Sequence, residues 1–419
     1  MKKMLYVGHS YHQKTQSVSF ILDIFKKQYE ITFLSVEMSR GPNDGILQTI
    51  VEDLTPLQGS HFDLLVCLQV MPSIDHLKTI ISFDHGVFIP MADFYYIAQQ
   101  TCHQKIWWEY KDFQIISFSR KVHDELRQNG FSSHYFQYFP EPSEKFIPGD
   151  STAVFMWQRI TELNLLVLLK LFANFNLTWV HVHRALDPGE GYTPLSYQQQ
   201  GKLRMTFSSW FKEKRSMLEL VDKCAFYFGS RKCEGIGLSY LEAMARGRCV
   251  IAPDETTFNE YITHGKTGFL FPINSPQGYV SLENVPTSKE EIRKIQKQTY
   301  DYMVAGYKQW CNCRNKMLSV AVMPPDNDPV LQRKAIAKAE AVPAQPCPAV
   351  TAPGNSFVTS LIRKVKKSFL LSSGKLPGHH LIGIKRFMGI PFYTKVARDD
   401  RKMVYIFLLG IPLLTVEFR

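Results

Sequence analysis

The 419-residue sequence has no Cys-x-x-Cys pair. Its eight cysteines are scattered at positions 67, 102, 224, 233, 249, 311, 313 and 347. That excludes zinc ribbons and thioredoxin-like redox sites and predicts reduced thiols in a cytosolic setting. Long apolar runs are also missing. The longest near the carboxyl end, "VYIFLLGIPLLTV", has thirteen residues with Gly410 and Pro412 inside it, whereas a spanning helix needs about 20. The amino end, "MKKMLYVGHSY", is basic but too short in apolar residues for a leader, so it predicts a first strand. No full Gly-x-Gly-x-x-Gly follows that strand. Gly8 alone suits a turn facing a cleft.

Net charge is small over most of the chain. The net charge is +11, yet residues 356–402 hold seven Lys and four Arg against two Asp, a balance of +9. A nearly neutral body with a basic tail points to an anionic membrane surface as the tail's partner. Nucleic acid is not expected, because no recognised nucleic-acid-binding module is present.

The chain does have alternating apolar runs and helix-like segments. "MLYVG", "YEITFLSV", "DLLVCLQV", "TIISFDHG" and "FQIISFS" predict strands in residues 1–145. A second alternating block, residues 151–320, contains "TAVFMW", "LTWVHV", "AFYFGS" and "CVIAP". Such alternation predicts an α/β chain of two Rossmann-like domains with parallel sheets and a cleft at the strands' carboxyl ends. "SKEEIRKIQKQTYDYMVAGYKQWCN" is a long helix candidate that packs back across the cleft. Residues 321–356, rich in Pro and Ala, predict a linker. Residues 357–419 are the basic tail. Phe357, Leu361, Ile362, Val365 and Phe369 fall on one helical face, and Gly389-Ile390-Pro391 recurs as Gly410-Ile411-Pro412. The tail reads as a membrane-docking element or as a small β-cap with "ARDDRK" as a turn.

The stretch "CEGIGLSYLEAMARGRCVIAP", 233–253, is the most informative. Gly235 and Gly237 allow backbone N–H groups to approach a ligand, and a helix start suits a phosphate. Glu234 and Glu242 offer acceptor-only carboxylates that match the paired donors of a vicinal diol. Two plainer readings stand beside this. Ser239-x-x-Glu242 fits a capping box, and Glu234 fits a solvated loop charge.

The run "EGIGLSYLEAMARGRCVIAP...FNEYITHGKTGFLF" resembles the E-x7-E signature of retaining GT-B glycosyltransferases of family 4. The resemblance continues through Leu238, Gly247, Glu260, Gly265 and Gly268. It implies transfer of a sugar from a UDP- or GDP-linked donor with retention, without metal or other cofactor. It places Glu234 on the donor sugar and Glu242 on the ribose. It implies a diphosphate clamp of an arginine and a lysine five residues later. Arg159 fills the first place but Asn164 stands in the second, so Arg231 or Lys232 is expected to supply the missing charge, or the site is weaker. It also implies a histidine near the acceptor, here His85 with Asp84 beside it, and Asp93 nearby. His85 and Arg159 each have a plainer reading, as a structural hydrogen-bonder and a surface charge. "DND" at 326–328 resembles a metal motif but sits in the expected linker, so no metal role is assigned. The function so implied is transfer to a growing surface glycan of lipopolysaccharide, O-antigen or capsule type. The acceptor would be a glycan or lipid-linked glycan at the inner face of the membrane. The alternative is a catalytically degenerate scaffold or binding subunit, which Asn164 favours.

Overall fold

A computed structural model describes all residues except 16, 41–45, 51–52, 96–108, 188–189, 197–199, 202, 212, 274–278, 280, 283–284, 342–378, 388–389, 399–402, 409–410 and 418–419. The chain divides into two units, Met1–Pro343 and Ala344–Arg419.

The first unit holds two sheets. The strands of the first are β1 (Lys2–His9), β2 (Tyr29–Arg40), β3 (Ile46–Ile50), β4 (His61–Leu68), β5 (Ser82–Ile89), β6 (Gln114–Ser117) and β7 (Ser133–Tyr135), in spatial order 3-2-1-4-5-6-7. All neighbours run parallel except β2 and β3. The second sheet is wholly parallel. It comprises β8 (Asp150–Gln158), β9 (Trp179–Arg184), β10 (Arg204–Ser208), β11 (Cys224–Ser230), β12 (Cys249–Pro253) and β13 (Gly268–Phe271), in order 10-9-8-11-12-13. In both sheets the order reverses beside the first strand, the place where doubly wound folds bind ligands. Burial explains why these strands read as continuous apolar runs: Leu64 to Leu68 and Ala225 to Phe228 are buried on both faces.

The helix Lys289–Cys313 joins the two domains, as its length suggested. Ser288 caps it by accepting from Glu291 N–H. Ile292 and Ile295 pack in the second domain's core, whereas Trp310 packs against Phe20, Phe118 and Tyr138 of the first. Such ring pairs add about 0.5–1.5 kcal/mol each beyond area burial. Glu260 makes a second bridge. Its carboxylate accepts from Ser119 Oγ at 2.8 Å and Arg120 N–H at 2.7 Å, at the start of the helix Arg120–Gln128.

The expected linker needs correction. Pro329–Ala341 is a helix. Its "VLQRKAIAKAEA" is made of strong helix formers, with proline only at the first position, where helices tolerate it. The segment before it is tied to the first domain. Arg127 pairs with Asp326 at 2.8 Å, Asn327 Oδ1 accepts from Ser132 N–H at 2.7 Å, and Asp328 N–H donates to Gly130 O at 2.8 Å. The "DND" triplet is thus a clasp between the returning chain and the first sheet.

In the second unit, β14 (His379–Phe387), β15 (Ile390–Arg398), β16 (Met403–Leu408) and β17 (Ile411–Glu417) form an antiparallel meander. The two Ile-Pro pairs open β15 and β17. The amphipathic stretch 357–369 lies outside the described residues. Among the described residues, no helix is long and apolar enough to cross a membrane.

Candidate functional site

The carboxyl ends of the two sheets meet. β11 delivers the loop Arg231–Gly237, and β8 delivers Arg159. β9 leads to Asp187, and β5 leads to Met91 and Asp93. Five charged side chains converge there. Arg159 contacts Asp187 Oδ1 through Nε at 2.8 Å and Nη2 at 2.7 Å. Arg231 Nη2 lies 3.1 Å from Asp187 Oδ2, and its Nη1 lies 3.2 Å from Asp93 Oδ2 and 3.5 Å from Glu234 Oε2. The Arg231–Asp93 pair spans the two domains.

Glu234 is not a solvated loop charge. Its side chain is 12% exposed, and its N–H donates to Thr256 O at 3.0 Å. Burial raises its pKa, and Arg231 and Arg159 pull it back in part. For Arg231, burial disfavours the cation, but Glu234, Asp93 and Asp187 outweigh it and raise its pKa. Cys233 beside them is no thiolate nucleophile, because burial pushes its thiol up to about 11.

Two glycines let the loop fit. Gly235 lies against the first domain, where an added Cβ would be 2.8 Å from Asp93 Oδ1. Gly237 has φ of 80° and stands just before the helix Leu238–Met244. A Cβ there would lie 1.8 Å from Tyr240 Cε1. Gly237→Ala is therefore expected to destabilise the fold by about 2 kcal/mol or more, combining the left-handed backbone with the clash. Urea unfolding measures it, and a loss under about 0.5 kcal/mol would contradict this geometry.

The capping-box reading of Ser239 and Glu242 does not hold. The helix already begins at Leu238, and Gly237 occupies the cap position without a side-chain bond. Ser239 instead bonds to Tyr227. Glu242 is nearly buried and pairs with Lys214 of the helix Lys214–Lys223. Burial raises the Glu242 pKa, partly offset by Lys214.

Asn164 has a structural task. It caps the helix Leu165–Leu171, its Oδ1 accepting from Leu166 N–H at 2.9 Å and Val167 N–H at 3.4 Å. Lys232 pairs with Glu162 at the surface. Arg231 is thus the second cation that joins Arg159.

His85 and Asp84 are not brought to this place. The strand was expected to end there, but β5 begins at Ser82 and runs on to Ile89. Thr79 to Ile81 close the preceding helix, with Ile80 and Ile81 N–H both bonded to Leu77 O. The two isoleucines mimic a strand in sequence but serve a turn. His85 lies four residues before the strand's end, roughly 13 Å back along it. Asp84 pairs with His61, the first residue of β4, at 3.4 Å, and His85 stands mid-strand opposite Leu64, so neither reaches the strands' carboxyl ends. Gly8 belongs to β1 itself, with the Tyr6 ring against it.

The histidine near the meeting point is His12. It hydrogen-bonds Gln69 at 2.7 Å and Ser17 at 2.8 Å. Burial lowers its pKa, the Gln69 bond and the charge of Asp93 acting the other way. Gln69 has φ of 65° at the end of β4, the one non-glycine in that region among the described residues. Beside His12, Tyr11 feels the charges of Arg159, Asp187 and Arg231. "GHSYHQ" after the first strand was the available signal for these residues. Asp187 and Lys214 had no motif to reveal them.

Residues 192–299 match the family described as glycosyl transferases group 1, a segment that holds Arg231, Glu234 and Glu242 but not Arg159 or the first domain. No curated protein matches the chain. Among solved structures, Anabaena HepE in complex with UDP and glucose is 13% identical, with TM-score 0.52, over 76% of this chain and 100% of that one. The same protein with UDP gives 0.54, at 13% identity over 76% and 98%. Sucrose-phosphate synthase from Thermosynechococcus elongatus is 12% identical, with TM-score 0.56, over 81% and 100%. These likenesses are of fold, the two-domain GT-B arrangement. With the matched segment they indicate a glycosyltransferase.

Proposed function

We propose that the chain is a retaining glycosyltransferase that moves a sugar from a nucleotide-sugar donor to a growing surface glycan. The observation that carries this is the convergence of Arg159, Arg231 and Glu234 where the two sheets' carboxyl ends meet, with Asp93 contributed by the other domain. A leaving diphosphate develops charge, and the two guanidinia are the groups positioned to neutralise it. Glu234 accepts from the donor sugar's hydroxyls and Glu242 from the ribose. Gly235, Gly237 and Leu238 shape the backbone against the donor. His12 and Asp93, rather than His85 and Asp84, face the acceptor hydroxyl. The solved relative with UDP bound supports a uridine donor. The +9 balance of residues 356–402 supports an acceptor at an anionic membrane surface.

One observation favours the scaffold reading: three carboxylates already satisfy the two guanidinia, and Asn164 caps a helix where the resemblance expects a lysine. A thermal-shift screen with UDP, GDP, ADP and CMP sugars separates the two. A donor should raise the melting temperature, because ligand that binds only the native state stabilises it. No shift with any of them, together with no transfer, would leave the scaffold.

The raised carboxylates set a pH dependence. Glu234 and Glu242 bind protons more tightly folded than unfolded. Their protonation favours the fold, and that stability is lost as pH rises through the folded values. Donor binding needs the anions, so it is lost as pH falls through the same values. The acid limb of kcat/KM is expected above 4.5, the ordinary glutamate value. A pH–rate profile checks it, and a limb at or below 4.5 would remove either carboxylate from the donor site.

A further inference from the structure

Asp187 touches both guanidinia. One oxygen takes two contacts from Arg159, at 2.8 and 2.7 Å, and the other lies 3.1 Å from Arg231. Two oxygens of one anion bridging two arginines is the arrangement a diphosphate would adopt. The charge count then matters. Arg159 and Arg231 face Asp93, Asp187 and Glu234, so two positive charges already stand against three negative ones. Lys232, the next cation along the loop, is engaged by Glu162. All five central side chains are at most 26% exposed, so water screens them poorly. A diphosphate added to this set would be repelled unless one carboxylate withdrew.

We propose that Asp187 is a resident counter-anion that occupies the diphosphate's place and swings away when the donor enters, so that it sets the affinity for the donor. The proposal rests on the reading of Arg159 and Arg231 as the diphosphate clamp. Of the two guanidinia, Asp93 and Glu234 each contact Arg231 alone among the described residues, so neither bridges the clamp. The backbone at Asp187 is held: its N–H donates to Arg159 O at 2.8 Å, and its carbonyl accepts from Glu190 N–H at 3.1 Å. Glu190 in turn accepts from Thr161 N–H at 2.7 Å. Displacement is therefore a rotation of one short side chain on a backbone held at Asp187 itself. Without substrate, the same contacts keep the two arginines apart and charged, which spares the empty site an uncompensated pair of buried cations.

The test is calorimetric titration of UDP and GDP into the wild-type chain, Asp187→Asn and Asp187→Ala, with uridine and guanosine as controls. Both variants should bind the matching diphosphate about tenfold more tightly, the size of one charge-assisted contact removed from competition. Nucleoside affinity should not change. Weaker or equal diphosphate binding in Asp187→Asn, with the wild type still binding, would overturn the displacement and leave the clamp in place. No binding of either diphosphate by any of the three chains would overturn the clamp itself. Melting temperatures of the variants show whether they are folded, and the isosteric Asn carries the result if Ala does not fold.

Discussion

Glu234→Gln is expected to lower turnover with the preferred nucleotide sugar by about 10²–10³-fold, the usual cost of removing one group that stabilises a charged transition state. The substitution keeps shape and removes charge. Glu234 stands 12% exposed between Arg231 and the loop before the helix Leu238–Met244. Its anion is costly to bury, as the upward shift of its pKa shows. The melting temperature of Glu234→Gln is therefore expected to be unchanged or higher, since Arg231 keeps Asp93 and Asp187 as partners. A merely structural carboxylate would behave in the opposite way, with stability falling and the turnover of the folded fraction preserved. Steady-state transfer assays with a parallel thermal melt read both. Retention of more than about a third of the wild-type rate would place Glu234 away from the reacting sugar.

The two-domain architecture was legible because parallel strands covered on both faces must be apolar throughout, so "DLLVCLQV" and "AFYFGS" stand out against amphipathic neighbours. The Arg231–Gly237 loop was legible because glycine at 237 answers a backbone demand. Less visible was where an apolar run starts to be a strand. "TIIS" and "VFIP" flank the same Asp84-His85 pair, and only the packing of Ile81 under a helix end assigns the strand to the second. That half-element displacement moved a histidine from the expected carboxyl end of the strand to its middle. Asn164 was legible in principle. Asn before "LLVLLKL" is a helix cap, and the absent lysine drew attention from it. Asp187 could not be found this way, because its partner Arg159 lies 28 positions away. Asp93 was legible as an acidic group near the acceptor, but its pairing with Arg231, 138 positions away, was not visible, since no local pattern encodes such pairs.

Arg248→Met is expected to destabilise the fold by about 3–5 kcal/mol. Four buried carbonyls lose charge-assisted hydrogen bonds, each unsatisfied group costing about 1–3 kcal/mol, offset in part by relief of the buried cation's desolvation. Arg248 is wholly buried, and its hydrogen bonds among the described residues go to no carboxylate. All five of its N–H groups go to backbone carbonyls. Nε and Nη2 donate to Arg246 O at 3.0 and 2.5 Å. Nη1 donates to Asp222 O at 2.8 Å and Cys224 O at 2.9 Å, and Nη2 also reaches Ile147 O. Two of these carbonyls explain how a cation is tolerated there. Asp222 lies in the last turn of the helix Lys214–Lys223, and Arg246 lies just past the end of Leu238–Met244. The partial negative charge of both helix ends therefore converges on the guanidinium. Ile147 belongs to the connection between the two domains, so the same side chain fastens that connection to the second sheet. Methionine fills the space of the stem without the donors, leaving four carbonyls without their bonds. The Asp222 carboxylate stays paired with Arg246, so no buried anion is orphaned. The loss should therefore report the carbonyl network alone. A fall in melting temperature of about 3–6 °C corresponds to it for a chain of this size. Arg248→Lys should fall between, since it keeps the charge but lacks the planar fork. If Arg248→Met unfolds within about 1 kcal/mol of wild type, water has replaced the guanidinium and the connection is held by other contacts.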